Sequence, residues 1–106
     1  MAIFGELETA VLNVLWAQEK PMRVRDVHEV LTRDRELAYT TVMTVLDRLA
    51  KKHVVEREQP ADERFWLYTP AQGRAETYAA AVAALLDEAG ADAPRVVEII
   101  RRRSAL

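Results

Sequence analysis

The chain of 106 residues contains no cysteine, which excludes disulfides, thiolate metal sites and thiol redox sensing together. Glycine is sparse and scattered, at positions 5, 73 and 90, so no glycine-rich loop is available to cradle phosphates. The only serine is Ser104, near the C-terminus, and a catalytic triad needs a buried nucleophile with a base and an orienting group. His28 and His53 lack metal-ligand spacing to any other histidine, and a structural role is expected for each. The N-terminal stretch "MAIFGELE" has no basic region followed by an apolar run, and nothing approaches the roughly 20 apolar residues of a membrane span. A cytoplasmic protein without membrane insertion is expected, with no enzymatic activity and no cofactor.

Half of the residues are hydrophobic, the net charge is −2 and the pI is about 5.7. Such a chain folds into one small globular domain with a modest core, and any surface for nucleic acid must be a local basic patch. Leu7, Ala10, Val11, Val14 and Leu15 share one face of a helix from Glu6 to Ala17. Pro21 ends it, "MRV" at 22 to 24 reads as a short edge strand, and Val27, Val30 and Leu31 mark a second helix whose start lacks a capping Ser, Thr, Asp or Asn. Val42, Val45, Leu46 and Leu49 mark a third. "VVEREQ", "PADE" and "RFWLYTP" then read as a hairpin around a polar turn, with Pro60 and Asp62 as turn residues in place of glycine.

Beyond Pro70 and Gly73, Tyr78, Val82, Leu85 and Leu86 form an apolar stripe, and Val96, Ile99 and Ile100 belong to a further short helix. Two such helices cannot close a core, so their apolar faces need a partner. The fold expected is mainly α with a small β-hairpin: a winged helix-turn-helix DNA-binding domain over residues 1–70 and a helical dimerisation region over 71–106.

In that fold the third helix enters the major groove and the hairpin reaches the flanking backbone. Thr40, Thr41, Met43, Thr44, Asp47, Arg48 and Lys51 lie opposite its apolar face. A threonine near a helix N-terminus brings a hydroxyl and a methyl close to base edges. Tyr39 adds a hydroxyl, and Arg48, Lys51 and Lys52 are placed for phosphate. From Ala38 to Arg57 the bases Arg48, Lys51, Lys52 and Arg57 face Asp47 and Glu56, a local balance of +2 in an acidic chain. Taken alone such a helix is more often an ordinary surface helix; the hairpin directly after it turns the reading toward DNA. Arg64, beside the turn, is either a wing contact or a solvated arginine. Most of Trp16, Phe65, Trp66 and Tyr68 are expected in the core rather than on a stacking platform, and "RRR" at 101 to 103 reads as a solvated helix end.

The segments "GELETAVLNVLW", "VRDVHEVL", "LAYTTVMTVLDRLAKK" and "RFWLYTP" together resemble the penicillinase-repressor family, the BlaI/MecI regulators. The resemblance runs from about Gly5 to Pro70. It implies a homodimeric repressor that reads an inverted repeat of TACA/TGTA type, with base contacts at Thr40, Thr41, Met43 and Thr44. It also implies a dimer interface on Tyr78, Val82, Leu85, Leu86, Val96, Ile99 and Ile100, and induction by a membrane-linked protease that cuts an Asn-Phe bond. The one asparagine, Asn13, precedes valine, which leaves the inducing signal open. The tail reads as a helix shorter than the family's, and the Cys-x-Cys pairs of copper-sensing relatives are missing. A MarR-like ligand-responsive regulator is the nearest alternative, although such chains place a dimerisation helix before the domain. A winged helix used as a protein-interaction module is another.

Overall fold

The computed structural model describes residues 3–104. Its elements are α1 (Glu6–Ala17), α2 (Val24–Leu31), α3 (Tyr39–Lys51), β1 (Val55–Glu58), β2 (Leu67–Pro70), α4 (Arg74–Ala89), a 3₁₀ turn (Gly90–Asp92) and α5 (Ala93–Arg103). The chain divides into two compact units, one ending at Arg74 and the other starting at Ala75.

In the first unit α1 packs against α2, α3 and β2, and α3 against β1. The fully buried side chains are Val11, Leu12, Leu15, Val27, Val42, Leu46, Leu49 and Val55. On α3 the buried set Val42, Val45, Leu46 and Leu49 follows the i, i+3, i+4, i+7 rule of a helix lying on one core. On α1 the arc is wider. Leu12 is fully buried while Leu7 and Ala10 are only half-buried, because a helix in contact with three elements buries more than a single stripe.

Both α1 and α2 begin without a capping side-chain oxygen at the N-cap. The backbone N–H of Gly5 donates to Glu8 Oε1 at 3.1 Å, and that of Arg23 donates to Asp26 Oδ2 at 3.0 Å. The carboxylate three residues into each helix thus supplies half of a capping box and places negative charge at the positive end of the dipole. Because α2 starts at Val24, the expected strand at 22 to 24 shrinks to Met22, whose N–H donates to the Tyr68 carbonyl at 3.0 Å and whose carbonyl accepts from the Tyr68 N–H at 2.8 Å.

α3 closes in a Schellman motif. The N–H of His53 donates to Ala50 O and that of Val54 to Leu49 O, both at 3.0 Å, with His53 at φ 61°. This left-handed position favours glycine. His53 makes the turn that sends the chain directly from α3 into β1.

β1 and β2 are antiparallel, from Val55 opposite Pro70 to Glu58 opposite Leu67. The turn between them has the Glu63 N–H donating to Pro60 O at 3.1 Å, and Asp62 takes φ 65° in the role expected of glycine. β2 is shorter than expected: Phe65 and Trp66 lie in the connecting loop. Arg23 stacks on the Phe65 ring at 4.3 Å and Arg57 on the Trp66 ring at 4.8 Å, so these two aromatics are held by guanidinium groups rather than by the core. Most of the four aromatics were expected inside, and of them only Tyr68 is buried. Trp16 is half-buried on α1 and donates its indole N–H to the Gln72 carbonyl at 3.0 Å, with Arg74 over its ring at 5.1 Å.

In the second unit α4 buries only Thr77 and α5 buries no residue. Val82, Leu85, Ile99 and Ile100 are exposed, and Tyr78, Leu86 and Val96 are half-buried. Gly90, at φ 61°, breaks the chain between the two helices. Arg102 pairs with Glu98 at 2.7 Å, which ties one member of the RRR run to its own helix. No described helix is long and apolar enough to cross a membrane.

Candidate nucleic-acid interface

At about 100° per residue along a helix, the buried face of α3 centres between Leu49 and Val42. The opposite direction is occupied by Thr40, Thr44, Asp47 and Lys51. Tyr39 and Met43 flank this row on the wing side, and Thr41 and Arg48 on the side of α1. Thr40, Met43, Thr44, Asp47, Arg48 and Lys51 therefore lie along the helix's outward half, with Thr41 at its edge and Tyr39 nearer the buried face. Thr40, Met43, Thr44, Arg48 and Lys51 are exposed, as is Tyr39, and Thr41 is half-buried.

Thr44 Oγ1 donates to the Thr40 carbonyl at 2.9 Å. This bond orients the hydroxyl and occupies its proton, so Thr44 presents acceptor lone pairs and a methyl outward. A base-edge amino group and a thymine methyl are the matching chemistry. The N-cap of α3 is Ala38, which has no side-chain acceptor, so the first-turn N–H groups have no side-chain cap.

The turn into α3 is held from behind. His28 Nε2–H donates to the Leu37 carbonyl at 2.7 Å; a carbonyl only accepts, so Nε2 carries the proton. The His28 ring also meets Tyr39 edge-on, with centroids 5.8 Å apart. His28 thereby fixes Tyr39, the first residue of α3.

The charged residues divide into two groups. Asp47 accepts from Lys51 Nζ at 3.1 Å and from Arg57 at 3.3 Å. Arg57 in turn lies over Trp66. Asp47 is thus the hub that joins α3 to the wing, a role that sequence reasoning missed because Arg57 and Asp47 read only as opposite charges in a tally. Lys52 was expected at phosphate; here its Nζ is bonded to Glu8 Oε2 at 2.9 Å and ties the end of α3 to α1. Arg35 is bonded to Glu6 at 2.9 Å. Arg64 is exposed on the wing loop and lines a cleft with Tyr39 and Met43. A separate groove of about 490 Å³ runs between the start of α1 and the Thr40, Thr41, Thr44 and Arg48 side of α3.

Burial alone would push the Glu8 carboxyl up. The Lys52 hydrogen bond, the Gly5 N–H and the charges of Lys52 and Arg48 outweigh it and hold the group below its ordinary value. A carboxyl depressed in the folded state stabilises the fold above its unfolded pKa, and that stability is lost as pH falls through the folded value. Urea midpoints should therefore drop on acidification below about pH 4.3, and Glu8→Gln should flatten that part of the profile. An identical acid limb in the variant would remove Glu8 from the account.

Among the described residues no group of His, Asp and Glu is arranged to hold a metal ion. Residues 4–106 match the family described as penicillinase repressor. The chain is 43% identical over 104 residues to the transcriptional regulator BlaI of two Mycobacterium tuberculosis strains, across 95% of this chain and 74% of that protein. The solution structure of the DNA binding domain of the repressor BlaI is similar in fold, with TM-score 0.59 and 23% identity over 69% of this chain and 85% of that one. The PcaV transcriptional regulator from Streptomyces coelicolor, solved with its natural ligand, is similar at TM-score 0.54 and 22% identity, over 96% of this chain and 74% of that one. Both likenesses are of fold. The chain belongs to the penicillinase-repressor family of transcriptional regulators.

Proposed function

We propose that this regulator is a sequence-specific repressor that binds a palindromic operator of TACA/TGTA type as a homodimer. The carrying observation is the outward face of α3, where short polar side chains over the first two turns are followed by basic ones and then by a wing pinned to the helix through Asp47 and Arg57. Tyr39, Thr40, Thr41, Met43 and Thr44 face base edges and the adjoining sugar-phosphate. Arg48 and Lys51 take phosphates, Arg64 reaches the backbone from the wing, and Lys52 acts mainly through its bond to Glu8. The BlaI relative named as a transcriptional regulator and the BlaI domain named as DNA binding support this reading. The exposed apolar residues Val82, Leu85, Ile99 and Ile100, with Tyr78, Leu86 and Val96, form the dimer contact. Two-fold symmetry then spaces the recognition helices by about one DNA turn, roughly 34 to 36 Å.

Titration of the protein against a TACA/TGTA palindrome and against random duplex is the direct test. Thr44→Ala should cost about 1 to 3 kcal/mol on the palindrome and little on random DNA, whereas Lys51→Ala should weaken both and flatten the salt dependence. Equal losses on both duplexes for Thr44→Ala would end its base-reading role. A protein that binds neither duplex, yet holds a protein partner without salt dependence, would favour the interaction-module alternative.

A further inference from the structure

The cleft between the start of α2, the first turns of α3 and the wing has a volume of about 200 Å³. It is lined by Arg23, Arg25 and Arg64 on its charged side and by Tyr39, Met43 and Trp66 among its apolar walls, with no acidic residue. This is unusual for a chain with 17 acidic and 15 basic residues. Some bases of this domain, Arg35, Lys51, Lys52 and Arg57, each meet a carboxylate. Among the described residues none of the three cleft arginines does. Arg23 is the sharpest case. Its guanidinium lies against the Phe65 ring, and its Nε is buried without a hydrogen-bond partner. A buried donor left unmatched is costly.

We propose that this cleft binds a small aromatic carboxylate. The two oxygens of a carboxylate match the planar fork of a guanidinium, a geometry that a single point charge does not exploit. The ring finds Met43 and the Tyr39 and Trp66 side chains beside that fork. The volume lies below the roughly 300 to 1,000 Å³ of drug-sized sites, which restricts the ligand to a single-ring acid. A DNA phosphate carries the charge but no ring, and it leaves the apolar walls unfilled.

A ligand in the cleft covers Tyr39 and Met43 on α3 and Arg64 on the wing, three of the side chains assigned above to DNA. Ligand and operator therefore exclude one another, and by linkage each weakens the other's binding by the same factor. This consequence rests on the repressor reading; occupancy of the cleft does not. It gives the repressor a direct means of release.

The test uses the full chain with carbon-13 in its methionine methyl groups, titrated with sodium benzoate, benzamide and inorganic phosphate in the absence of DNA. The chain has three methionines; Met43 lines the cleft and Met22 is buried in the core. Benzoate should shift the Met43 methyl saturably with a midpoint at or below about 1 mM. Benzamide and phosphate should each need at least about tenfold more. Arg23→Gln and Arg25→Gln should each weaken benzoate by about tenfold; Arg25 is exposed, so its variant reports binding even where Arg23→Gln perturbs the start of α2. Saturating benzoate should then raise the concentration of protein needed to shift an operator duplex. No saturable Met43 shift, phosphate or benzamide binding as well as benzoate, or wild-type affinity in both arginine variants would each overturn the proposal. Benzoate binding by a protein that never binds DNA would sink the repressor reading and leave the site standing.

Discussion

In the proposed homodimer, Leu85→Asp is expected to separate the two chains and to lower affinity for a full palindrome by about 10² to 10⁴. The side chain is 51% exposed within one chain, so the substitution leaves the fold of that chain intact. In a two-fold interface the same residue enters from both copies, and two carboxylates are placed among Val82, Leu86 and their symmetry mates. Taking them out of water without partners opposes association. Binding to an isolated half-site involves one recognition helix and one wing and should not change. Sedimentation equilibrium combined with titration of full and half operators separates the two effects. A variant that stays dimeric, or a monomeric variant that binds the full palindrome as tightly as before, would place the interface elsewhere.

The helices were legible in the sequence because a helix on one core repeats its apolar positions every three to four residues, and α3 obeys this at Val42, Val45, Leu46 and Leu49. The outward row of Thr40, Thr44, Asp47 and Lys51 followed from the same arithmetic. The wing was legible from its turn: Asp62 tolerates the left-handed backbone that glycine would otherwise supply. What the residues concealed were pairings between distant segments. Lys52 reads as a phosphate anchor until Glu8, 44 positions away, is found beside it. Phe65 and Trp66 read as core until Arg23 and Arg57 are found stacked on them, since an aromatic next to a short strand satisfies either role. The cleft was hidden for a related reason. Arg23, Arg25 and Arg64 are dispersed in sequence, and their lack of carboxylate partners is visible only in three dimensions.

The second large effect concerns Leu12, which is not among the apolar face Leu7, Ala10, Val11, Val14 and Leu15 named from the spacing and which the fold buries completely. A helix that packs on one neighbour keeps a narrow stripe, whereas α1 meets α2, α3 and β2 and buries an arc wide enough to include both Leu15 and Leu12. Leu12→Ala removes methyl groups from a site with no exposed surface, and such changes cost about 2 to 5 kcal/mol. Against the roughly 5 to 15 kcal/mol that stabilise a typical domain, this is a large fraction. For a domain of this size each 1 kcal/mol moves Tm by about 4 to 8 °C, so the melting transition should fall by tens of degrees at the upper end of that cost. Leu7→Ala offers the control: Leu7 reads as core from its spacing but is half-buried, so truncation there leaves much of the cavity open to water. Thermal and urea unfolding of the two variants should rank Leu12 well above Leu7. The reverse order would mean that α1 buries only the stripe its periodicity implies, and that its contact with the wing contributes little to holding α3 and the hairpin in one rigid reading head.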